Sequence, residues 1–155
     1  MSDLVVLVED ASADVMTARR MLGKLYPDVT LEHFADGEQL LEAVAERSPT
    51  SWWPRLFLFD LNLPGRSGID LLRAIGDSPW AAIPKVVLSG SASAGEVQRC
   101  YDLGAAGYLT KPMGGEQLKR TWETIGRYWF EHAAPALRPD GYEWLADGEP
   151  PASGP

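Results

Sequence analysis

The chain has 155 residues, of which 45% are hydrophobic and 23% charged, a composition that suits one globular domain with a real core. Its formal net charge of −8 has the wrong sign for a protein that grips nucleic-acid phosphates, and its single cysteine excludes an intrachain disulfide or a cysteine-rich metal site. The apolar run 4–8 is too short for a signal-peptide core or a membrane span. We therefore expect a cytoplasmic protein that binds neither nucleic acid nor membrane.

Short apolar runs alternate with segments of helical spacing along the first 131 residues. The five predicted strands are 4–8, 29–34, 56–60, 84–88 and 106–109. The five predicted helices are 12–24, a second capped by Asp36, 69–75, a fourth that ends near 103, and 115–131. The inner face of the second helix is predicted to comprise Leu40, Leu41, Val44 and Ala45. The fourth helix carries Cys100, which we interpret as a small packed residue.

This alternation of strands and helices contains no hairpin signal, so it predicts a parallel sheet covered by helices on both faces. Right-handed crossovers narrow the choice to a doubly wound α/β fold. Such sheets bind ligands at the carboxyl ends of their strands. The residues that directly follow the predicted strands are therefore the first candidates for a functional site.

Polar side chains follow four of the five predicted strands. Glu9 and Asp10 come after the first, Asp60 after the third, Ser89 after the fourth and Lys111 after the fifth. Each comes directly after an apolar run, so the fold rather than the chain would bring them to one edge of the sheet. Taken alone, Asp10 could equally cap the first helix.

These residue types suit phosphoryl transfer. Three clustered carboxylates repel one another unless a cation is present, and oxygen ligands completed by water and phosphate are typical of Mg²⁺. Lys111 supplies a positive charge, and Ser89 a hydroxyl, for phosphoryl oxygens. The carboxylate of Asp60 could act as the nucleophile and form an acyl phosphate.

The motifs together resemble the receiver domain of two-component response regulators, over roughly residues 3–131. The matching motifs are Glu9-Asp10, Asp60 with Leu63-Pro64-Gly65, Ser89-Gly90-Ser91 and Lys111-Pro112. The resemblance implies a flavodoxin-like five-stranded sheet in the order 2-1-3-4-5. It also implies that Asp60 is the phosphoacceptor for a sensor histidine kinase.

The same resemblance implies a role for each remaining site residue. Asp10, Asp60 and the backbone carbonyl of Asn62 would bind Mg²⁺ directly, and Glu9 would act on the metal mainly through water. Lys111 would pair with the phosphoryl group. Ser89 and Tyr108 would be the switch residues that remodel the surface of the fourth helix, fifth strand and fifth helix. Plain packing in the strand remains the alternative for Tyr108.

Two positions depart mildly from the commonest family pattern. Glu9 stands where Asp is more frequent, and Ser89 stands where Thr is more frequent. Both residues occur within the family, so neither puts activity in doubt.

The last helix and the extension after it suggest a contact surface. Four residues recur at helical spacing and would face the sheet: Leu118, Trp122, Ile125 and Trp129. Tyr128 and Phe130 would point elsewhere, either to cap the lower edge of the sheet or to anchor a protein partner.

Residues 132–155 include five prolines and three glycines, which is typical of a disordered tail. The apolar side chains of Tyr142, Trp144 and Leu145 favour a dimerisation arm instead. This combination resembles single-domain regulators that serve bacterial phytochrome kinases, in which the C-terminal region contributes to homodimers.

The leading hypothesis is a stand-alone receiver at 1–131 with slow self-dephosphorylation, followed by the extension at 132–155. That extension is too short and proline-rich to form a DNA-binding helix-turn-helix, so output would pass through protein contact or a histidine phosphotransfer protein. One alternative is a phosphohydrolase of the haloacid-dehalogenase type, although Asn62 stands where those enzymes place a second aspartate. The other is a scaffold that works without phosphorylation.

Overall fold

Short apolar runs form the strands of one five-stranded sheet in the computed structural model, which describes residues 3–91 and 93–138. The strands are β1 Leu4–Val8, β2 Thr30–Phe34, β3 Leu56–Phe59, β4 Lys85–Ser89 and β5 Gly107–Thr110. All five lie within one residue of the predicted bounds at each end, and β4 and β5 are each displaced by one residue along the chain.

All four strand pairs of the sheet are parallel, and their order is β2-β1-β3-β4-β5. β3 lies between β1 and β4, with Val8 opposite Phe59 and Phe59 opposite Val87. Every residue of β3 is buried, as a central strand covered on both faces requires. The predicted doubly wound, flavodoxin-like fold is confirmed.

In the described part of the chain, five α-helices connect and cover the strands. Their bounds are α1 Ser12–Leu25, α2 Gly37–Glu46, α3 Gly68–Gly76, α4 Ala94–Asp102 and α5 Gly115–Gly126. Asp36 caps α2 as predicted, because its side chain accepts a hydrogen bond from the backbone N–H of Gln39. The predicted inner face of α2 was wrong at one position, since Ala43 is buried and Ala45 is exposed.

The sheet divides the core into two layers. Side chains that alternate along β3 point to opposite faces, so Phe57 and Phe59 pack under α2 and α3 while Leu56 and Leu58 pack under α1 and α5. Cys100 of α4 is fully buried in the first layer, which agrees with its interpretation as a packed residue.

Tryptophans close the end of the sheet where the strands begin. Trp80, only 1% exposed, donates from its indole Nε1 to the carbonyl oxygen of Trp52 at 2.7 Å. The two rings lie edge to face with centroids 5.3 Å apart. The C-terminal segment, residues 133–138, crosses the same end, where Trp53 donates to the carbonyl of Ala136 at 3.1 Å.

The predicted last helix changes its winding before it ends. The α-helix stops at Gly126, and Arg127–His132 form a π-helical turn. A Cβ built on Gly126 would overlap the ring of Tyr26, so only glycine allows this approach of α5 to the end of α1. The wider turn leaves Trp129 half-buried beside Tyr128, which is exposed.

Within 3–91 and 93–138, no helix is long and apolar enough to cross a membrane. Tyr142, Trp144 and Leu145, the predicted anchors of the dimerisation arm, lie outside the described residues.

Candidate functional site

The carboxyl edge of the sheet brings Lys111 into contact with three carboxylates. Its Nζ lies 2.6 Å from Glu9 Oε2, 2.8 Å from Asp14 Oδ2 and 3.2 Å from Asp60 Oδ2. Glu9 follows β1, Asp60 follows β3 and Lys111 follows β5, so three separate strands deliver these groups. The predicted meeting of Glu9, Asp60 and Lys111 at this edge is present in the structure.

Asp14 is a member of this cluster that the sequence reading missed. It lies in the first turn of α1, at the edge where that helix begins. The available signal was its position, because an acid in the first turn of a helix that follows β1 lies close to the end of that strand. Its pairing with Lys111 could not be predicted, since it depends on the conformation of a long side chain from β5.

Burial and ion pairing oppose each other in this cluster. Burial raises the pKa of Glu9 above its usual range, and its hydrogen bond with Lys111 offsets only part of that effect. For Lys111, burial acts in the opposite direction and lowers the pKa of the ammonium group. Hydrogen bonds with Asp14 and Glu9 and the nearby negative charges outweigh this effect and raise the pKa of Lys111 above its usual range. Lys111 is therefore a fixed positive charge across the ordinary pH range.

Backbone contacts hold Asp60 at the edge. Its N–H donates to the carbonyl of Val8 at 3.3 Å, which continues the β1–β3 pairing one residue beyond the strands. Its Oδ1 accepts from the N–H of Asn62 at 3.1 Å, and its other oxygen faces Lys111. The side chain is 11% exposed, so a small part of it remains accessible from outside.

The loop after Asp60 depends on two glycines. Gly65 has a φ of +74°, which other residues rarely adopt. Gly68 begins α3 so close to the site that a Cβ there would lie 2.6 Å from the carbonyl oxygen of Asp60 and 2.8 Å from Cα of Leu61. Because both neighbours are backbone atoms, this close approach fixes the loop against Asp60.

Ser89 and Tyr108 meet at the loop after β4. The hydroxyl of Ser89, which is fully buried, accepts from the N–H of Ser91 at 3.3 Å. The hydroxyl of Tyr108 donates to the carbonyl of the same Ser91, and burial raises the pKa of Tyr108. The N–H of Lys111 donates to the carbonyl of Ser89 at 2.6 Å, so the two strand ends are joined beside the cluster.

The oxygen-rich edge fits a hard divalent cation chemically. Glu9 and Asp60 already converge on one cationic atom, Lys111 Nζ, and Asp10 is an exposed neighbour of Glu9. Among residues 3–91 and 93–138, no group of three or more acidic, histidine or cysteine side chains is arranged to hold a metal. The predicted ligand set of Glu9, Asp10, Asp60 and the Asn62 carbonyl therefore stays a prediction, with Lys111 placed between two of its members.

Comparison with known proteins identifies one family. The family described as "Response regulator receiver domain" matches residues 5–123. The "Probable methanogenesis regulatory protein FilR2" of Methanothrix harundinacea is 36% identical over 129 residues, which cover 82% of this chain and 83% of that protein. "Response regulator Rcp1" of Synechocystis sp. is 34% identical over 137 residues, which cover 83% of this chain and 89% of Rcp1.

Solved structures give the same result. The phosphorylated cyanobacterial phytochrome response regulator RcpA superposes with a TM-score of 0.81 and 28% identity, and the match covers 87% of this chain and 99% of RcpA. The Mn(2+)-bound form of Rcp1 superposes with a TM-score of 0.80 and 30% identity, with the same coverage of 87% and 99%.

Proposed function

Because this chain belongs to the family of response regulator receiver domains, we propose that Asp60 accepts a phosphoryl group from a sensor histidine kinase. The chain is a signalling domain of two-component systems rather than a typical enzyme, and it aligns with 89% of the length of Rcp1. One observation carries the choice of residue. Asp60 lies at the end of the central strand, with one carboxylate oxygen 3.2 Å from Lys111 Nζ.

The reaction needs a nucleophile, charge neutralisation and little else. A carboxylate oxygen of Asp60 attacks the phosphorus of the kinase phosphohistidine, the new O–P bond forms as the N–P bond breaks, and the imidazole leaves with the electron pair. Lys111 donates to an oxygen of the transferred group. A divalent cation, Mg²⁺ in this proposal, held by Asp10, Asp60 and the Asn62 carbonyl, with Glu9 acting mainly through water, would supply further neutralisation.

The contacts of Ser89 and Tyr108 support a switch. Both side chains bond to the peptide groups of Ser91, so a Ser89 hydroxyl drawn toward a phosphoryl oxygen releases the Ser91 N–H. The loop between β4 and α4 then shifts, and the hydroxyl of Tyr108 follows the Ser91 carbonyl. In this proposal the surface of α4, β5 and α5 is the output of the domain.

The relatives suggest the kinase. RcpA is a cyanobacterial phytochrome response regulator, and we extend this to a phytochrome-type sensor kinase for the present chain. A histidine phosphotransfer protein is the alternative downstream partner, self-dephosphorylation is slow, and the expected compartment is the cytoplasm.

The last residues of α5 and the π-helical turn that follows it support a homodimer. Tyr128 is 55% exposed, and with Trp129 and Ile125 it lines an apolar cleft of about 230 Å³ against β5. In this proposal residues 132–155 complete the contact as a dimerisation arm. Sedimentation of the whole chain and of a chain truncated after His132 tests it, since a truncated chain that stays dimeric contradicts the arm.

The experiment for Asp60 is labelling by acetyl phosphate in the presence of Mg²⁺, followed by intact mass. We expect one phosphoryl group on the native chain and none on Asp60→Asn. Asp102→Asn, an aspartate of α4 bonded to Gln98, is the matched control and should label normally. Labelling that persists in Asp60→Asn contradicts the assignment of the acceptor.

The two alternatives from the sequence are tested by a turnover assay and by the labelling experiment, respectively. A phosphohydrolase would turn over small phosphomonoesters many times, and the family match does not favour that reading. A scaffold would leave the native chain unlabelled.

A further inference from the structure

Lys111 has no hydrogen-bond donor to spare. An ammonium group offers three N–H donors, and Glu9, Asp14 and Asp60 each lie within 3.2 Å of Nζ. Glu9 and Asp60 already have roles in the proposed site. Asp14 has none, although at 2.8 Å it is closer to Lys111 than Asp60 is.

The three carboxylates differ in exposure. The side chains of Glu9 and Asp60 are 4% and 11% exposed, whereas that of Asp14 is 30% exposed. Asp14 also belongs to a helix, while the other two follow strands. Lys111 therefore has two carboxylates on the inner side of the site and one at its open rim.

A cation that enters between Glu9 and Asp60 must displace the ammonium group, because like charges repel. When Glu9 and Asp60 turn to the cation, Asp14 remains as the hydrogen-bond acceptor for the ammonium group of Lys111. The ion pair at the rim thus lowers the cost of cation entry. The same pair competes with a phosphoryl oxygen for the ammonium group, since both need the same donors.

We propose that Asp14 is a positioning residue that holds Lys111 at the rim of the site and sets the balance between cation binding and phosphoryl binding. This inference rests on the proposed function of Asp60. It makes a distinctive prediction, because loss of the Asp14 charge should change the two affinities in opposite directions.

The cation arm uses Mn²⁺ alone, with free Mn²⁺ measured by electron paramagnetic resonance. Asp14→Asn keeps the size of the side chain and removes its charge. We expect the Mn²⁺ dissociation constant to rise roughly threefold to tenfold, at or below the lower limit of the effect of outer-shell partners on metal sites, because Asp14 acts through Lys111. Asp14→Glu keeps the charge and should recover most of the affinity.

The phosphoryl arm uses acetyl phosphate at saturating Mg²⁺. We expect KM for acetyl phosphate to fall about threefold in Asp14→Asn, on the scale of a partly exposed ion pair, while kcat changes less. A merely structural loss would raise KM or lower kcat. An unchanged or higher KM overturns the proposal.

A double-mutant cycle tests whether Asp14 acts through Lys111. In a Lys111→Gln background, Asp14→Asn should have no further effect on the Mn²⁺ dissociation constant. An effect of the same size in both backgrounds overturns the proposal, because it shows that Asp14 acts on the cation directly. Thermal unfolding of each variant excludes loss of fold as the cause.

The outcomes separate this inference from the function on which it rests. If the native chain labels on Asp60 and Asp14→Asn matches it in both arms, the positioning role fails and the function stands. If the native chain takes no label, the function fails, and the Mn²⁺ arm still decides whether Asp14 positions Lys111.

Discussion

The two ends of the sheet differ in the kind of side chain that they bury, charged at one end and aromatic at the other. At the carboxyl end, Glu9, Asp60 and Lys111 gather charge in a largely buried cluster. At the amino end, Trp52 and Trp80 close the core with edge-to-face rings and a buried hydrogen bond. Buried ion pairs add little net stability, whereas buried aromatic surface adds much. Substitutions at the two ends should therefore separate stability from function.

The largest stability effect is expected at the amino end. Trp80→Ala removes a side chain that is 1% exposed and leaves a cavity between two loops, so we expect a loss of about 3–5 kcal/mol in the free energy of unfolding. Urea denaturation measures it, and Trp53→Ala, at a partly buried position, should cost less. Asp60→Asn should change stability far less while it abolishes labelling. A larger loss in Asp60→Asn than in Trp80→Ala would break the comparison.

The glycines of α3 sharpen the comparison at the carboxyl end. Gly68→Ala places a Cβ 2.6 Å from the carbonyl oxygen of Asp60, which is backbone and cannot turn aside. We expect a loss of about 1–3 kcal/mol from overpacking, together with a large drop in labelling by acetyl phosphate.

Gly76→Ala is the matched control, because it lies at the other end of the same helix with no atom within 4 Å of the added Cβ. It should leave labelling unchanged and stability unchanged or slightly higher. Equal effects of the two substitutions on labelling would show that the close approach of Gly68 to Asp60 does not matter for phosphorylation.

The smallest expected effect is the pH dependence of stability at the amino end of the sheet. Burial and the hydrogen bond that Tyr26 donates to Glu131 at 2.6 Å raise the pKa of Tyr26 from 10.0 to about 12. The fold favours the neutral phenol, so this contribution is complete below pH 10 and is lost as the pH rises toward 12.

Tyr26→Phe should cost about 1 kcal/mol near neutral pH, because it removes one hydrogen bond. The melting temperature of the native chain should approach that of Tyr26→Phe between pH 10 and 12. A constant difference between the two chains over this interval would contradict the role of the phenol.

Sequence patterns predicted the order of strands and helices well, because each element depends on the residues within it. Most of the strands are short apolar runs, and the site residues at the ends of four strands were identified from that pattern alone. The pairing of Asp14 with Lys111 escaped because it joins α1 to β5 through one side chain. Ala45 was predicted to be buried but is exposed, because helical spacing alone does not decide which flank of an apolar face turns toward the core.

The end of α5 also escaped prediction. Spacing continued the helix to 131, whereas the structure has a π-helical turn from Arg127. Nothing in the spacing indicates the close contact of Gly126 with Tyr26, which comes from a distant part of the chain. Long-range contacts of this kind are what a periodicity argument cannot supply.

Cys100 has a practical consequence for spectroscopy. It is the chain's only cysteine, it is fully buried, and burial raises the pKa of its thiol, so it reacts slowly with labelling reagents. A cysteine introduced at the fully exposed Met113, two residues after Lys111, would be the one fast-reacting thiol. The native background thus accepts a single fluorophore or spin label beside the site without prior removal of a cysteine.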